Sequence, residues 1–167
     1  MTESVIESGM EFIVSPGQNL YYIEKSPVYA ALQNEMKMAE FVLYDNKKKK
    51  VFVVEAKTSA PNPNSNEQAG NFNTFINEID QKLSNAMDLF AKQALCSALP
   101  AGFEKIDYSN VNIVFVLVIK NHKKEWLQTV NDALGIAVNK HKRFKKIWKC
   151  NVIVLNEDSA RKKKLIL

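Results

Sequence analysis

The sequence predicts an α/β fold, with a mixed central sheet flanked by helices. Three observations carry that expectation. Residues 38–57 form two alternating apolar runs joined by a short polar turn. Asn71 to Ala98 repeats apolar residues at intervals of three and four, and Ile113 to Ile119 is apolar on both faces. A hairpin followed by strand, helix, strand, helix and strand mixes antiparallel pairing with crossover connections.

Along the chain, Thr2 to Met10 is too weakly patterned to assign. Glu11 to Val14 reads as a brief strand, stopped by Ser15-Pro16-Gly17, where Pro presets φ and Gly accepts a positive one. Leu20 to Glu24 is β-prone. Ser26-Pro27 has the form of an N-cap followed by Pro in the first helical position, opening a short helix through about Leu32. Met38 to Tyr44 alternates, with Ala39, Phe41 and Leu43 on one face and Glu40, Val42 and Tyr44 on the other. Asp45-Asn46 begins a turn, Lys47 to Lys50 hold its tip in water, and Val51 to Lys57 returns as a strand.

Ser59 to Gly70 is polar and rich in turn residues, so it reads as a loop. In the stretch after it, Phe72, Ile76, Ile79, Leu83, Met87 and Phe90 mark one broad apolar stripe on a long helix. Asn110 to Lys120 is a strand covered on both sides. Lys123 to about Lys142 is a second helix, Asn151 to Leu155 a last strand, and Arg161 to Lys164 a basic tail.

Composition bounds the function. At 167 residues, 46% apolar and 10% aromatic, the chain suits one domain over residues 1–167 with a real core. The longest apolar run falls far short of the ~20 residues that span a bilayer. The polar start Met1-Thr2-Glu3-Ser4 does not read as a secretory signal, and Cys96 and Cys150 lie far apart without a ligand cluster. The expectation is a cytoplasmic protein with reduced thiols, no zinc site and no membrane partner. Charge is uneven, −3 over residues 1–100 and +8 over 101–167, which points to an anionic partner or to a solvated basic surface.

Glu55-Ala56-Lys57 attracts a chemical reading. Side chains 55 and 57 share a strand face with Val51 and Val53, so a carboxylate and an ammonium end an apolar strand. If the hairpin turns around residues 46–49, Glu40 lies near the same sheet end. Two carboxylates and a backbone carbonyl suit Mg²⁺, which prefers oxygen ligands and keeps several waters. A lysine beside them can orient water and neutralise phosphate charge. Acidic-x-Lys occurs four times in this chain, and only Glu55/Lys57 ends an apolar strand with a second strand-borne acid nearby. The plain alternative is an exposed ion pair worth roughly 1 kcal/mol or less. Lys140, Lys142, Arg143, Lys145, Lys146 and Lys149, interleaved with Phe144 and Trp148, form a second candidate, either a phosphate track or a solvated helix end whose aromatic rings point inward. His122 and His141 belong to no acid–nucleophile pattern.

The acid in Met-Ala-Glu-Phe-Val-Leu-Tyr, the short hairpin, and Val-Phe-Val-Val-Glu-Ala-Lys-Thr-Ser resemble the core of the PD-(D/E)XK nuclease superfamily over about residues 38–155. That resemblance implies a restriction-endonuclease-like core. It implies Glu40 and Glu55 as metal-binding acids, Lys57 as the lysine, the Ala56 carbonyl as a further ligand and Glu24 as an accessory one. Mg²⁺ or Mn²⁺ is the implied cofactor, DNA or RNA the substrate, and a homodimer the means of cutting both strands of a duplex. Ile23-Glu24-Lys25-Ser26 and Ala56 to Pro63 are also similar to blocks in small uncharacterised bacterial proteins. The superfamily's long first helix is not evident, with only Pro27 to Leu32 to stand in for it, and no Gln-x-x-x-Tyr follows the lysine. The competing expectation is a non-catalytic module of the same fold that binds nucleic acid or a protein.

Overall fold

A computed structural model describes residues 3–32 and 35–167; Met1 and Thr2 of the opening tetrapeptide lie outside the described residues. The strands are β1 (Glu3–Glu7), β2 (Met10–Val14), β3 (Gln18–Tyr21), β4 (Phe41–Asp45), β5 (Lys50–Lys57), β6 (Asn112–Ile119) and β7 (Asn151–Asn156). The helices are α1 (Pro27–Ala30), α2 (Ala69–Leu95), α3 (Leu127–Lys140) and α4 (Glu157–Lys162). Five strands form one sheet in the order β3-β4-β5-β6-β7, antiparallel from β3 to β5 and parallel from β5 to β7. The class is therefore α/β with a mixed sheet, as the pattern predicts.

Helix placement differs in part from expectation. The two long helices lie on one face of the sheet, where Ile79, Leu83, Leu134 and Val138 pack against Val42, Val53, Phe115 and Leu117. Strand order explains this. From β5 to β6 to β7 the sheet grows in one direction, and right-handed crossovers in one direction put their helices on the same side. The other face is covered by the separate β1–β2 hairpin and short α4, with Phe12, Phe41, Val54, Val116 and Ala160 in its core. Among the described residues no helix is long and apolar enough to cross a membrane.

The unassigned N-terminal stretch supplies that hairpin. Its two-residue turn, Ser8-Gly9, has φ of 50° and 70°, the left-handed pair that matches strand twist. A Cβ on Gly9 would lie 3.0 Å from the Lys120 ammonium, so the turn's close approach also favours glycine.

Three further boundaries moved. β3 ends at Tyr21, and residues 23–25 form a 3-10 turn closed by the Lys25 N–H on the Tyr22 carbonyl at 3.1 Å and the Ser26 N–H on the Ile23 carbonyl at 3.2 Å, while the Glu24 N–H bonds the Glu40 carbonyl at 3.3 Å. α3 begins at Leu127 and ends at Lys140, and the following basic segment winds as a π-helical turn over Arg143–Ile147. The expected basic tail is instead ordered. Asn156 caps α4 by accepting from the Ser159 N–H, and residues 165–167 run beside β2, bonded at Ile13 and Glu11.

Candidate functional site

The β4–β5 register decides whether the two acids can meet. Phe41 pairs with Val54 and Val42 with Val53, and the ladder ends there, one residue short of Glu40 and Glu55. The Glu40 N–H bonds the carbonyl of Val54, the residue paired with Phe41, at 3.1 Å, so the chain bulges at Glu40 and the strand itself begins at Phe41. Glu55 lies on the side covered by α2, where Lys82 reaches it, and Glu40 lies close enough to Glu55 for the two carboxylates to repel each other. Burial is nearly complete: Glu40 is 8% exposed and Glu55 0%.

Two lysines converge on Glu55. The Lys82 ammonium, reaching down from α2, lies 2.8 Å from Glu55 Oε1, and the Lys57 ammonium lies 3.3 Å from the same oxygen. Lys57 also approaches Glu78 at 3.6 Å, and Glu78 in turn meets Lys37 at 3.6 Å. Glu55 Oε2 is buried and has no hydrogen-bond partner. A buried carboxylate oxygen without a partner forfeits the hydration it had in water.

The electrostatics follow from this crowding. Burial pushes Glu55 above the usual carboxylate range, against the pull of Lys82 and Lys57. Glu40 is pushed up to about 9, first by burial, then by a hydrogen bond with Glu24 and by the charges of Glu55, Glu24 and Glu7. Burial alone would lower the Lys82 ammonium, but Glu55, Glu40 and Glu24 outweigh it and raise the pKa. Lys82 is therefore a fixed cation and a poor proton acceptor.

The Ala56 carbonyl accepts a hydrogen bond from the Ser8 hydroxyl at 3.0 Å, and Lys120 donates to the Gly9 carbonyl at 2.9 Å. These bonds dock the hairpin turn at the site, with Glu7 close enough to act on Glu40. A carbonyl has a second lone pair, so the Ser8 bond leaves Ala56 able to accept once more.

Does this set suit a divalent cation? Among the described residues no three His, Cys, Asp or Glu side chains form a group that could hold a metal ion. Two carboxylates with an unpartnered oxygen nevertheless suit Mg²⁺ or Mn²⁺, since a hard cation completes its octahedron with water. A divalent charge would also counter the repulsion that keeps Glu40 protonated. The donor chemistry fits at the two-carboxylate level.

The structure divides the basic residues. His141 and Arg143 border an open polar groove of about 540 Å³ that also contains Lys37 and Glu78, the neighbours of Lys57. His141 Nε2 lies 2.8 Å from Asp80, and Arg143 bonds Asp88 at 2.9 and 3.3 Å. Phe144 is fully buried and Trp148 packs against the core, so the aromatic residues serve packing. Lys149 lies beside the opposite end of β5, among residues that include Val51 and Ile113. Lys140, Lys142, Lys145 and Lys146 are exposed. The hairpin lysines 47–50 likewise lie at the start of β5, roughly 20 Å of extended strand from Lys57.

Sequence reasoning missed Lys82, Glu78 and Ser8. Lys82 carried a signal: it stands three residues after Ile79 and four before Ala86, inside the apolar stripe of α2. A charge at such a position needs a buried partner. Ser8-Gly9 is itself a two-residue hairpin signal, though its flanking runs are short. Glu78 and Lys82 as a helical i,i+4 pair look like ordinary surface charges.

No family model matches the chain, and neither any curated protein nor any solved structure matches it.

Proposed function

We propose that this chain is a cytoplasmic, metal-dependent nuclease of restriction-endonuclease-like type that hydrolyses phosphodiester bonds in DNA or RNA. The observation that carries the reading is a pair of buried acids at one sheet end, Glu40 and Glu55, close enough to repel each other, with Glu55 Oε2 unpartnered and two lysines beside Glu55. Glu40 and Glu55 would hold Mg²⁺ or Mn²⁺, with Glu24 and the Ala56 carbonyl at the margin. The bound ion supplies Lewis-acid polarisation of the phosphate and charge stabilisation at the departing oxygen.

This chain's own residues do the rest. Lys82 fixes the Glu55 carboxylate in place, and its charge lowers the cost of keeping that carboxylate ionised in a dry setting. Lys57 is more exposed than Lys82 and lies at the strand end, where its ammonium can orient an attacking water and meet a phosphate oxygen. Glu40 gives up its proton to become a ligand. The groove carrying Lys37 and Arg143 adjoins Lys57 through Glu78, and the two side chains would turn from Glu78 and Asp88 to meet the backbone. A duplex cut on both strands takes two such sites, which a homodimer would supply.

The test is incubation of plasmid, linear DNA and RNA with Mg²⁺ or Mn²⁺, comparing the natural chain with Lys57→Ala. Cleavage that the substitution abolishes supports the proposal. No cleavage of any substrate, or equal cleavage by the variant, overturns it.

One observation favours a second reading. Lys57 and Lys82 already neutralise Glu55, so the cluster can stand as a structural ion-pair network in a non-catalytic module that binds nucleic acid or a protein. A nuclease gains thermal stability from Mn²⁺ in a way that Glu55→Ala removes, and a binding module is indifferent.

A further inference from the structure

At the other end of β5 a cavity of about 680 Å³ opens between the last turns of α2, the loop before β6 and the π-helical turn. Its volume falls within the range of small-molecule sites, roughly 300–1,000 Å³. It shares no lining residue with the Glu40/Glu55 cluster.

The lining has three chemical parts. Phe90, Tyr108 and Trp148 bring aromatic rings, while Ala91 and Ala94 keep that stretch of α2 low and leave a slot. Leu95, Ile147 and Tyr108, exposed by 86%, 73% and 39%, stand around it; large apolar side chains left this open in one place mark a binding surface. The second part is a polar edge. Asp107 takes the Ser109 hydroxyl at 2.5 Å and Asn110 Nδ2 at 2.7 Å, which fixes the loop and uses the Asn110 donor. Asn110 Oδ1 and the Asn112 amide then supply both an acceptor and a donor. The third part is Lys149, held in the left-handed region at φ 50° where the chain leaves the π-helical turn.

We propose that this cavity binds a nucleotide, with the base in the aromatic slot against the amide edge and the phosphate at Lys149. An acyl chain would not use the amides. An apolar protein partner would bury the amides and Lys149 without partners, which is costly. A nucleobase has ring faces for the slot and mixed donors and acceptors for the edge, and its phosphate meets the cation. The ligand has two sources, a free nucleotide or the terminal nucleotide of a strand. The inference goes beyond the nuclease reading and does not rest on it.

The test uses the full chain in EDTA, with Trp126→Phe so that emission reports Trp148 alone. Titrants are the four ribonucleoside 5′-monophosphates and a 5′-phosphorylated tetranucleotide. Saturable quenching by at least one titrant is expected, with affinity weakened about tenfold or more by Lys149→Glu and by Ala91→Phe, which fills the slot. Saturation by monophosphates assigns a free nucleotide, and saturation by the tetranucleotide alone assigns a strand end. No saturation by any titrant at millimolar concentration overturns the proposal, as does unchanged affinity in Lys149→Glu. Should Ala91→Phe fail to fold, as judged by circular dichroism, the exposed Lys149 substitution decides by itself.

Discussion

The Glu55–Lys82 pair gives the sharpest energetic prediction. Glu55 is fully buried, the Lys82 side chain is 14% exposed, and their charges stand 2.8 Å apart. At an effective dielectric of about 20, that separation corresponds to an attraction of about 6 kcal/mol before desolvation is counted. Desolvation offsets much of it, so the pair adds little over two well-packed apolar side chains. Breaking it is another matter. Lys82→Met leaves a buried carboxylate with only Lys57, 26% exposed and 3.3 Å away, to compensate. The expected loss is about 3 kcal/mol, near the low end for stripping one partner from a buried pair. Glu55→Met should cost less, about 1 kcal/mol, because both lysines can turn toward water. The double variant should lie about 1–2 kcal/mol below the natural chain, giving a coupling of about 2–3 kcal/mol. Urea denaturation followed by circular dichroism at pH 7 measures the cycle, and Lys82→Met alone should lower Tm by about 6–12 °C. Strictly additive losses, or a Lys82→Met chain within about 0.5 kcal/mol of the natural one, would refute this account of the site.

Further outcomes follow from other features. Glu40 binds its proton more tightly when folded, with a pKa raised from 4.5 to about 9, so its contribution to stability is complete below about pH 4.5 and is lost as pH rises toward 9. Glu40→Gln should flatten that decline, whose slope is at most about 1.4 kcal/mol per pH unit, in urea melts between pH 5 and 9. His122 has the opposite sign: burial lowers its pKa and neither ring nitrogen has a partner, so stability falls as pH drops below about 6.5. His122→Leu should remove that acid-side loss in the same assay. Gly9→Ala should destabilise by about 1–2 kcal/mol, seen as a lower Tm, because φ of 70° disfavours a Cβ and Lys120 crowds it. Phe144→Ala should cost about 3–5 kcal/mol in denaturant melts, since that ring is fully buried despite its basic neighbours.

Legibility in the sequence tracked pattern strength. The β4–β5 hairpin, α2 and β6 were readable because alternation, helical spacing and a continuous apolar run each bury a face of known period. The same period of two places Val42 and Tyr44 on one face, but it breaks at Glu40, whose N–H bonds the Val54 carbonyl out of step with the Phe41–Val54 pair and whose neighbour Ala39 joins the core of Val42 and Tyr44. Residues 3–14 were half missed because their strands are five residues each and owe their form to packing on the sheet and pairing with the chain end. The side on which α3 packs depends on strand order, which local pattern does not encode. Lys82 was legible only as a misplaced charge in an apolar stripe. Nothing in the run Lys140–Lys149 distinguishes Arg143, beside the groove near Lys57, from Lys149 at the far cavity. A π-helical turn between them separates the two, and no sequence period announces it.

The central claim is that Glu40 and Glu55 act together on one cation. Calorimetric titration of Mn²⁺ into the natural chain at pH 7, repeated in buffers of different ionisation heat, tests it directly. The account predicts one site per chain, release of close to one proton as Glu40 ionises, and loss of both in Glu55→Gln. Binding without proton release, or binding that persists unchanged in Glu55→Gln, would contradict it.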